Sequence, residues 1–286
     1  MKLCLRVLAA LGLFLVMVLP ASAQQSINYP NFCTTTGLTI NGAAAGLNPN
    51  SACVLRLTNA LSQGGSAFLT NTFSLAGDAS FSTFFRFQMT NPQGIGDADG
   101  QGADGIVFAV QTVGNNVGGG GVGIGYQGIS PSVGIEFDTF NNGSIDQNDG
   151  NHLGIDINGN VASAVLVPVA GRFNDGNIWF GWVDYNGVTD LLEARVSLTG
   201  SRPATPTASF TVDLPAVLGT TNAFVGFTSG TGSGANTHDI LSWQLIGAFA
   251  PFPGGPAANV PTLSPVMLGL LAAGLAIAAV LLLKRL

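Results

Sequence analysis

Short runs of alternating apolar and polar residues, parted by glycine- and asparagine-rich turns, dominate residues 24–249. The pattern is plain in 81–89 (FSTFFRFQM), 105–111 (GIVFAVQ), 132–140 (SVGIEFDTF), 178–185 (IWFGWVDY), 191–198 (LLEARVSL) and 223–228 (AFVGFT). A period of two puts every second side chain on one face of a sheet, so each run predicts a strand. No stretch in this region has the cap and 3.6-residue period of a long helix. About a dozen strands without an internal repeat predict one all-β domain, a jelly-roll sandwich of antiparallel sheets.

Both ends break the alternation. Residues 1–23 carry Lys2 and Arg6, an apolar run from 7 to 19, then Pro20 and Ala21-Ser22-Ala23. That order predicts a secretory signal peptide cut before Gln24. Residues 264–283 hold no charge and are long enough to span a bilayer. Lys284-Arg285 follows directly and is expected to stay on the cytoplasmic side. Residues 250–259 read as a Pro/Gly linker between the domain and this C-terminal segment.

Charge narrows the partners. Only 8% of residues are charged, and the two ends take four of the nine basic residues. Between them five arginines and no lysine face all 15 acids, a formal charge of about −10. Such a surface repels phosphates, which excludes nucleic acid as a natural partner; it suits cations and neutral ligands. Cys4 leaves with the signal peptide, so Cys33 and Cys53 remain as an even pair in an exported domain, and a disulfide is the default.

The densest polar cluster is 136–152 (EFDTFNNGSIDQNDGNH). Glu136 and Asp138 share a strand face, an Asn/Gly/Asp loop follows, and His152 opens the next strand. Two carboxylates at one strand end, facing further oxygens from a loop, should bind a cation. An EF-hand loop does not fit. Counted from Asp146 the twelfth residue is Ile157, and from Asp97 it is Phe108, where a bidentate Glu is required. Asp97 and Asp99 are expected in a solvated loop.

The run Glu136-Phe137-Asp138-Thr139-Phe140, with Asn142, Asp146 and His152-Leu153-Gly154-Ile155 after it, resembles the metal-binding signature of the L-type (legume-like) lectins. The similarity covers nearly all of 24–246 and includes 55–58, 103–108, the 118–125 glycine loop, 182–185, 225–228 and 238–243. The resemblance implies a concanavalin-like fold and noncatalytic, calcium-dependent binding of neutral glycans. Asp138, the Phe140 carbonyl, Asn142 and Asp146 would coordinate calcium. Glu136, Asp138, Asp146 and His152 would hold a second, transition-type (Mn2+-like) ion, with Asp149 an alternative to Asp146. The sugar would meet Asp104, preceded by a cis peptide, together with Asn142, the Gly121 amide and the Phe140 ring. The specificity loop would lie in 229–238, with His238 structural; which sugar fits, and the oligomeric state, stay open.

Val260-Pro261-Thr262-Leu263-Ser264 is similar to the Ile-Pro-Thr-Leu motif that opens bacterial C-terminal sorting tails. This implies cleavage by a membrane sorting protease and delivery to the cell surface or matrix, with a permanent single-span anchor as the alternative. Two other functions compete. Glu136-x-Asp138 looks superficially like the start of a hydrolase strand, but retaining hydrolysis needs a second carboxylate ~5–5.5 Å away. That strand should bring a second Glu near Phe140–Asn141, and the only other glutamate of residues 24–283 is Glu193, in an ordinary alternating strand. The third reading is a matrix or adhesion protein with an eroded sugar site.

Overall fold

The computed structural model describes residues 25–47 and 53–254. The expected signal peptide, sorting motif, membrane segment and basic tail lie outside these residues. Among the described residues no helix is long and apolar enough to cross a membrane.

Two antiparallel sheets pack face to face, as the alternation predicts. The back sheet runs β16 (Ala208–Thr211), β15 (Leu191–Ser197), β14 (Ile178–Asn186), β7 (Phe81–Gly94), β18 (Gly234–Ile246), β4 (Val54–Thr58) and β3 (Ala45–Leu47). Strand β1 (Ser26–Tyr29) adds to it along β18. The front sheet runs β13 (Asn160–Pro168), β12 (His152–Ile157), β11 (Ser132–Asp138), β10 (Gly105–Gln111), β17 (Asn222–Gly230), β5 (Gly64–Leu69) and β2 (Leu38–Gly42). A short β6 (Phe73–Ser74) pairs with β17, and β8 (Gly96–Asp97) with β9 (Gly100–Gln101) form a separate hairpin. The α-helix α1 (Leu214–Leu218) is a single turn capped by the Asp213 side chain on the Ala216 amide.

Inward residues of both sheets meet in an aromatic core. Phe85 packs edge-on against Phe227 with centroids 5.0 Å apart, Phe87 lies 5.0 Å from Phe137, and Phe227 lies 5.0 Å from Trp243. Offset and edge-to-face pairs of this kind add specificity to the area they bury. Outward residues of the front sheet build a second, smaller core: Val107, Ala109 and Phe68 sit under Ile124, Tyr126 and Ile129 of the loop between β10 and β11. Cys33 and Cys53 form the expected disulfide.

Trp182 is buried on the outer face of the back sheet beside Phe84 and Phe180, outside the core between the sheets. One expectation needs correcting. The first residues of the 250–259 linker cover that face. Ala250 donates to the Ser82 hydroxyl (3.1 Å), Phe252 packs on Phe84 and Gly254 pairs with Ser201. Composition marked this segment as a spacer, but its apolar Phe252 anchors it.

Candidate functional site

The front sheet brings the acidic segment and Asp104 to one pole. Strand β11 pairs with β10 so that Asp138 stands opposite Gly105, and with β12 so that Asp138 stands opposite His152. Glu136 shares the outward face of β11 with Asp138. Three ligand atoms from Glu136, Asp138 and His152 lie within 4.8 Å of one another, and all three residues are buried. His152 Nε2 is 3.2 Å from Glu136 Oε1, which also accepts from Ser163 Oγ at 2.5 Å. The other Glu136 oxygen, Oε2, is buried without a partner among the described residues.

The loop after β11 folds back on this cluster. Asp138 Oδ1 accepts the Phe140 amide at 2.6 Å, and Asp146 accepts the Asn142 amide. Asp146 is 2% exposed. Its charge helps to push the Asp138 and Asp104 carboxyls up, so it faces the cluster. Asp149 lies on the other side of the imidazole, its Oδ1 3.6 Å from His152 Nδ1. That position suits orienting the ring rather than joining the carboxylates; neither Asp146 nor Asp149 belongs to the three residues whose ligand atoms lie within 4.8 Å of one another. Phe140 is half-buried and stacks on no other ring among the described residues, unlike a core aromatic.

Asp104 sits beside the cluster, joined to Ala103 through the expected cis peptide. Its carbonyl accepts from both the amide and the hydroxyl of Thr139, at 2.9 and 3.0 Å, which ties it to the end of β11. The residue is 3% exposed and its Oδ2 has no partner among the described residues. Burial, then the nearby Asp146, pushes its pKa up to about 7. Burial likewise raises Asp146 to about 6 and holds Asp138 well above the usual carboxylate range, Glu136 adding to the latter.

So many buried acids with one imidazole among them are poorly compensated. Among the described residues no lysine or arginine forms an ion pair with Glu136, Asp138, Asp104 or Asp146. Buried charge requires a partner, and orphaned oxygens converging with one nitrogen fit a cation. The donors suit a hard, oxygen-seeking ion on the loop side and a transition-type ion where the imidazole joins.

Gly121 departs from expectation. Its amide donates to the Thr231 carbonyl (3.1 Å), so it is engaged within the protein and is not a free donor for a sugar. The glycine loop nevertheless faces the site. A Cβ placed on Gly232 would stand 3.9 Å from both Asp104 Oδ2 and Gly121 Cα.

Several contributors escaped the sequence reading. Asp156 is buried on the same face of β12 as His152, with neither oxygen partnered among the described residues; burial and then Glu136 push its carboxyl well up. The signal was there, since residues four apart on a strand share a face. Asp97 is not merely solvated: its Oδ2 accepts the Asn141 amide at 2.8 Å and so braces the loop. His238 lies between the sheets, its pKa lowered by burial to about 3. Its Nδ1 is 2.7 Å from Thr58 Oγ1, which is 3.1 Å from Ser229 Oγ, which donates to the Gly105 carbonyl at 2.7 Å. Because Ser229 gives its proton to Gly105, Thr58 donates to Ser229 and the neutral imidazole donates from Nδ1. The unpartnered Nε2 is then a lone pair rather than an orphaned N–H. The chain of donors ends on the residue next to Asp104.

The hydrolase alternative finds no second glutamate at the site. Glu193 is on β15 of the opposite sheet, where its Oε2 pairs with Arg195 at 3.2 Å. The volume of a hollow does not locate the site either. A cavity of about 310 Å3 opens between β1, Leu69 and Phe73, away from the acidic cluster.

The description of the legume lectin domain matches residues 24–251. The chain belongs to the legume lectin family. An L-type lectin-domain containing receptor kinase, VIII.1 of Arabidopsis thaliana, is 31% identical over 66% of the chain, and Lectin 8 of Medicago truncatula is 40% identical over 40%. The chain spans about a quarter (26%) of the receptor kinase and 42% of Lectin 8. Among solved structures, the Bauhinia forficata lectin in complex with GalNAc superposes with a TM-score of 0.66 at 25% identity, covering 78% of this chain and 98% of that one. The basic winged bean lectin with Tn-antigen gives 0.66 at 28% identity, with the same coverage. This legume lectin domain therefore has the fold and family of carbohydrate-binding, noncatalytic proteins, a family that generally binds metal ions.

Proposed function

We propose that the protein binds neutral glycans in a calcium-dependent, noncatalytic manner outside the cell. The carrying observation is the buried Asp104 Oδ2, without a partner among the described residues, beside the buried acids of the Glu136–His152 cluster, where Glu136 Oε2 is likewise unpartnered. Asp138, Asp146, Asn142 and the Phe140 carbonyl would hold calcium, and Glu136, Asp138, Asp146 and His152 a second ion. Bound cations supply the positive charge that keeps Asp104 and Asp138 ionised and the loop closed. Asp104 then accepts hydrogen bonds from two sugar hydroxyls, Asn142 donates through its amide, and Phe140 covers the apolar face of the ring. A neighbouring amide of the glycine loop takes the donor role first assigned to Gly121.

Export by the N-terminal segment and bacterial-type sorting through 260–286 would place the domain on the cell surface. Clustering there raises the avidity of a weak single site. A glycan array probed with calcium and again with chelator tests the reading. Binding should require calcium, and Asp104→Ala should abolish it while leaving the thermal transition cooperative. No binding in either condition, or binding that survives Asp104→Ala, refutes the assignment.

A further inference from the structure

Asparagine followed by glycine readily loses its side-chain ammonia, because glycine has no Cβ to keep the backbone nitrogen away from the Asn Cγ. That nitrogen attacks Cγ, the Cγ–Nδ2 bond breaks, ammonia leaves with the backbone proton, and a succinimide ring closes. Water then opens the ring at either carbonyl, to aspartate or isoaspartate, one water being consumed for each ammonia released. The chain holds four such pairs: Asn41-Gly42, Asn142-Gly143, Asn158-Gly159 and Asn186-Gly187. The reaction needs a side chain free to turn and a glycine free to approach, and three of the pairs lack both. Asn41 Nδ2 donates to Ser66 Oγ and the Asn115 carbonyl at 3.0 and 2.8 Å. Asn158 Oδ1 accepts the Ser132 amide at 3.2 Å, and Asn186 Oδ1 accepts the Val188 amide at 3.1 Å. Their glycines are walled in. A Cβ would stand 2.2 Å from the Gly64 oxygen at Gly42, 2.6 Å from the Ile129 nitrogen at Gly159 and 2.5 Å from the Ala79 oxygen at Gly187.

Asn142 is the exception. Its side chain makes no hydrogen bond among the described residues, and it is half-buried, next but one to the exposed Ser144. Nothing lies within 4 Å of where a Cβ on Gly143 would stand, and the φ of +73° there is open to glycine. Attack must give up only the bond from the Gly143 amide to Asn141 Oδ1, at 2.7 Å. Of the four pairs this is also the one placed at the ligand site, where Asn142 would give its oxygen to calcium and its side-chain amide to the sugar. An ion on Oδ1 would hold the side chain against the turn that attack requires. Conversion exchanges the Nδ2 donor for an oxygen and adds a negative charge next to Asp146, whose carboxylate accepts the Asn142 backbone amide. The sugar then loses its donor.

We propose that Asn142 is a modification site guarded by calcium: loss of the ion opens it to deamidation, which ends sugar binding irreversibly. The inference rests on the calcium- and sugar-binding reading above. The full chain is incubated at neutral pH with calcium or with chelator, and peptide mass mapping follows each Asn-Gly pair for the gain that marks replacement of nitrogen by oxygen. In chelator Asn142 should convert about fivefold or more faster than the other three, each of which must first break a hydrogen bond. Calcium at about ten times its Kd leaves about a tenth of the sites open, so it should slow Asn142 about tenfold and leave the other three unchanged. Equal rates at all four pairs in chelator, or one Asn142 rate in both solutions, overturns the guarded site. Chain aged in chelator and returned to calcium should lose calorimetric binding of methyl galactoside, glucoside or mannoside in proportion to the Asn142 converted, and Asn142→Asp should reproduce the loss. Binding that persists in fully converted chain overturns the proposal. Failure of fresh, calcium-loaded chain to bind any of these glycosides overturns the sugar reading and the loss of binding with it, while the mass gain still decides whether calcium guards Asn142.

Discussion

Stripping the cations and raising the pH should destabilise this domain, against the common trend. Asp104 has an ordinary pKa of 3.8 and a folded value of about 7 in the metal-free protein. Between those values the folded chain holds a proton that the unfolded chain has released, so metal-free stability falls as pH rises from about 4 to 7. Below 4 both states are protonated, and above 7 both are ionised, so the loss is confined to that window. At 1.36 kcal/mol for each unit, Asp104 alone sets a scale of about 4 kcal/mol. Asp138, Asp146 and Asp156 shift in the same direction and share the same field, so their effects do not add independently. For a domain of this size that scale is a Tm loss of about 8–16 °C. Cations bound as proposed would ionise these acids at low pH and remove the slope. The assay is scanning calorimetry from pH 4.5 to 7.5, after exhaustive dialysis against chelator and again with calcium and manganese. Subtracting the two series cancels every group remote from the site. A metal-free Tm that stays level or rises with pH relative to the loaded protein would refute the argument. Asp104→Asn, which cannot titrate, should flatten a large part of the metal-free slope.

Three further outcomes follow from individual contacts. His152→Ala should weaken manganese binding at least tenfold by titration calorimetry and affect calcium less, because the imidazole serves the softer ion. Ser229→Ala removes the hydroxyl that donates to the Gly105 carbonyl at 2.7 Å; sugar affinity should fall about three- to tenfold while calcium affinity is unchanged. Cys33→Ser opens the loop closed with Cys53, and the transition should drop by roughly 6–12 °C under oxidising conditions, for a stabilisation of about 3 kcal/mol.

The strands and the polar cluster were legible because strand alternation is a local property. In 132–140 the parity that buries Ile135 and Phe137 between the sheets necessarily turns Glu136 and Asp138 the other way. The same parity would have exposed Asp156, two pairs along from His152 on β12. What stayed hidden depends on contacts between distant segments. Nothing local in Asp97 tells that it will cap the Asn141 amide, 44 residues on, and nothing local in Phe252 tells that it will cover Phe84. The engagement of the Gly121 amide is hidden for the same reason: its acceptor, Thr231, comes from the turn between β17 and β18.

These long-range contacts explain why Asp104 can be both buried and placed. Its carbonyl is gripped by Thr139 at the end of β11, and the next carbonyl by Ser229 of β17, itself backed by Thr58 and His238 of the opposite sheet. Each bond is individually modest, about 1 kcal/mol. With the Asp104 amide donating to the Gly230 carbonyl at 3.4 Å, they fix the backbone on both sides of a carboxylate whose Oδ2 has no partner among the described residues. A side chain left unsatisfied while its backbone is held in this way is preorganised for something outside the chain. The acids of 136–146 lie on one flank of that carboxylate and the bare Gly232 edge on the other. Cations would therefore approach from the loop side and sugar from the glycine side, so a substitution at Gly232 should change which glycan binds without changing the calcium requirement.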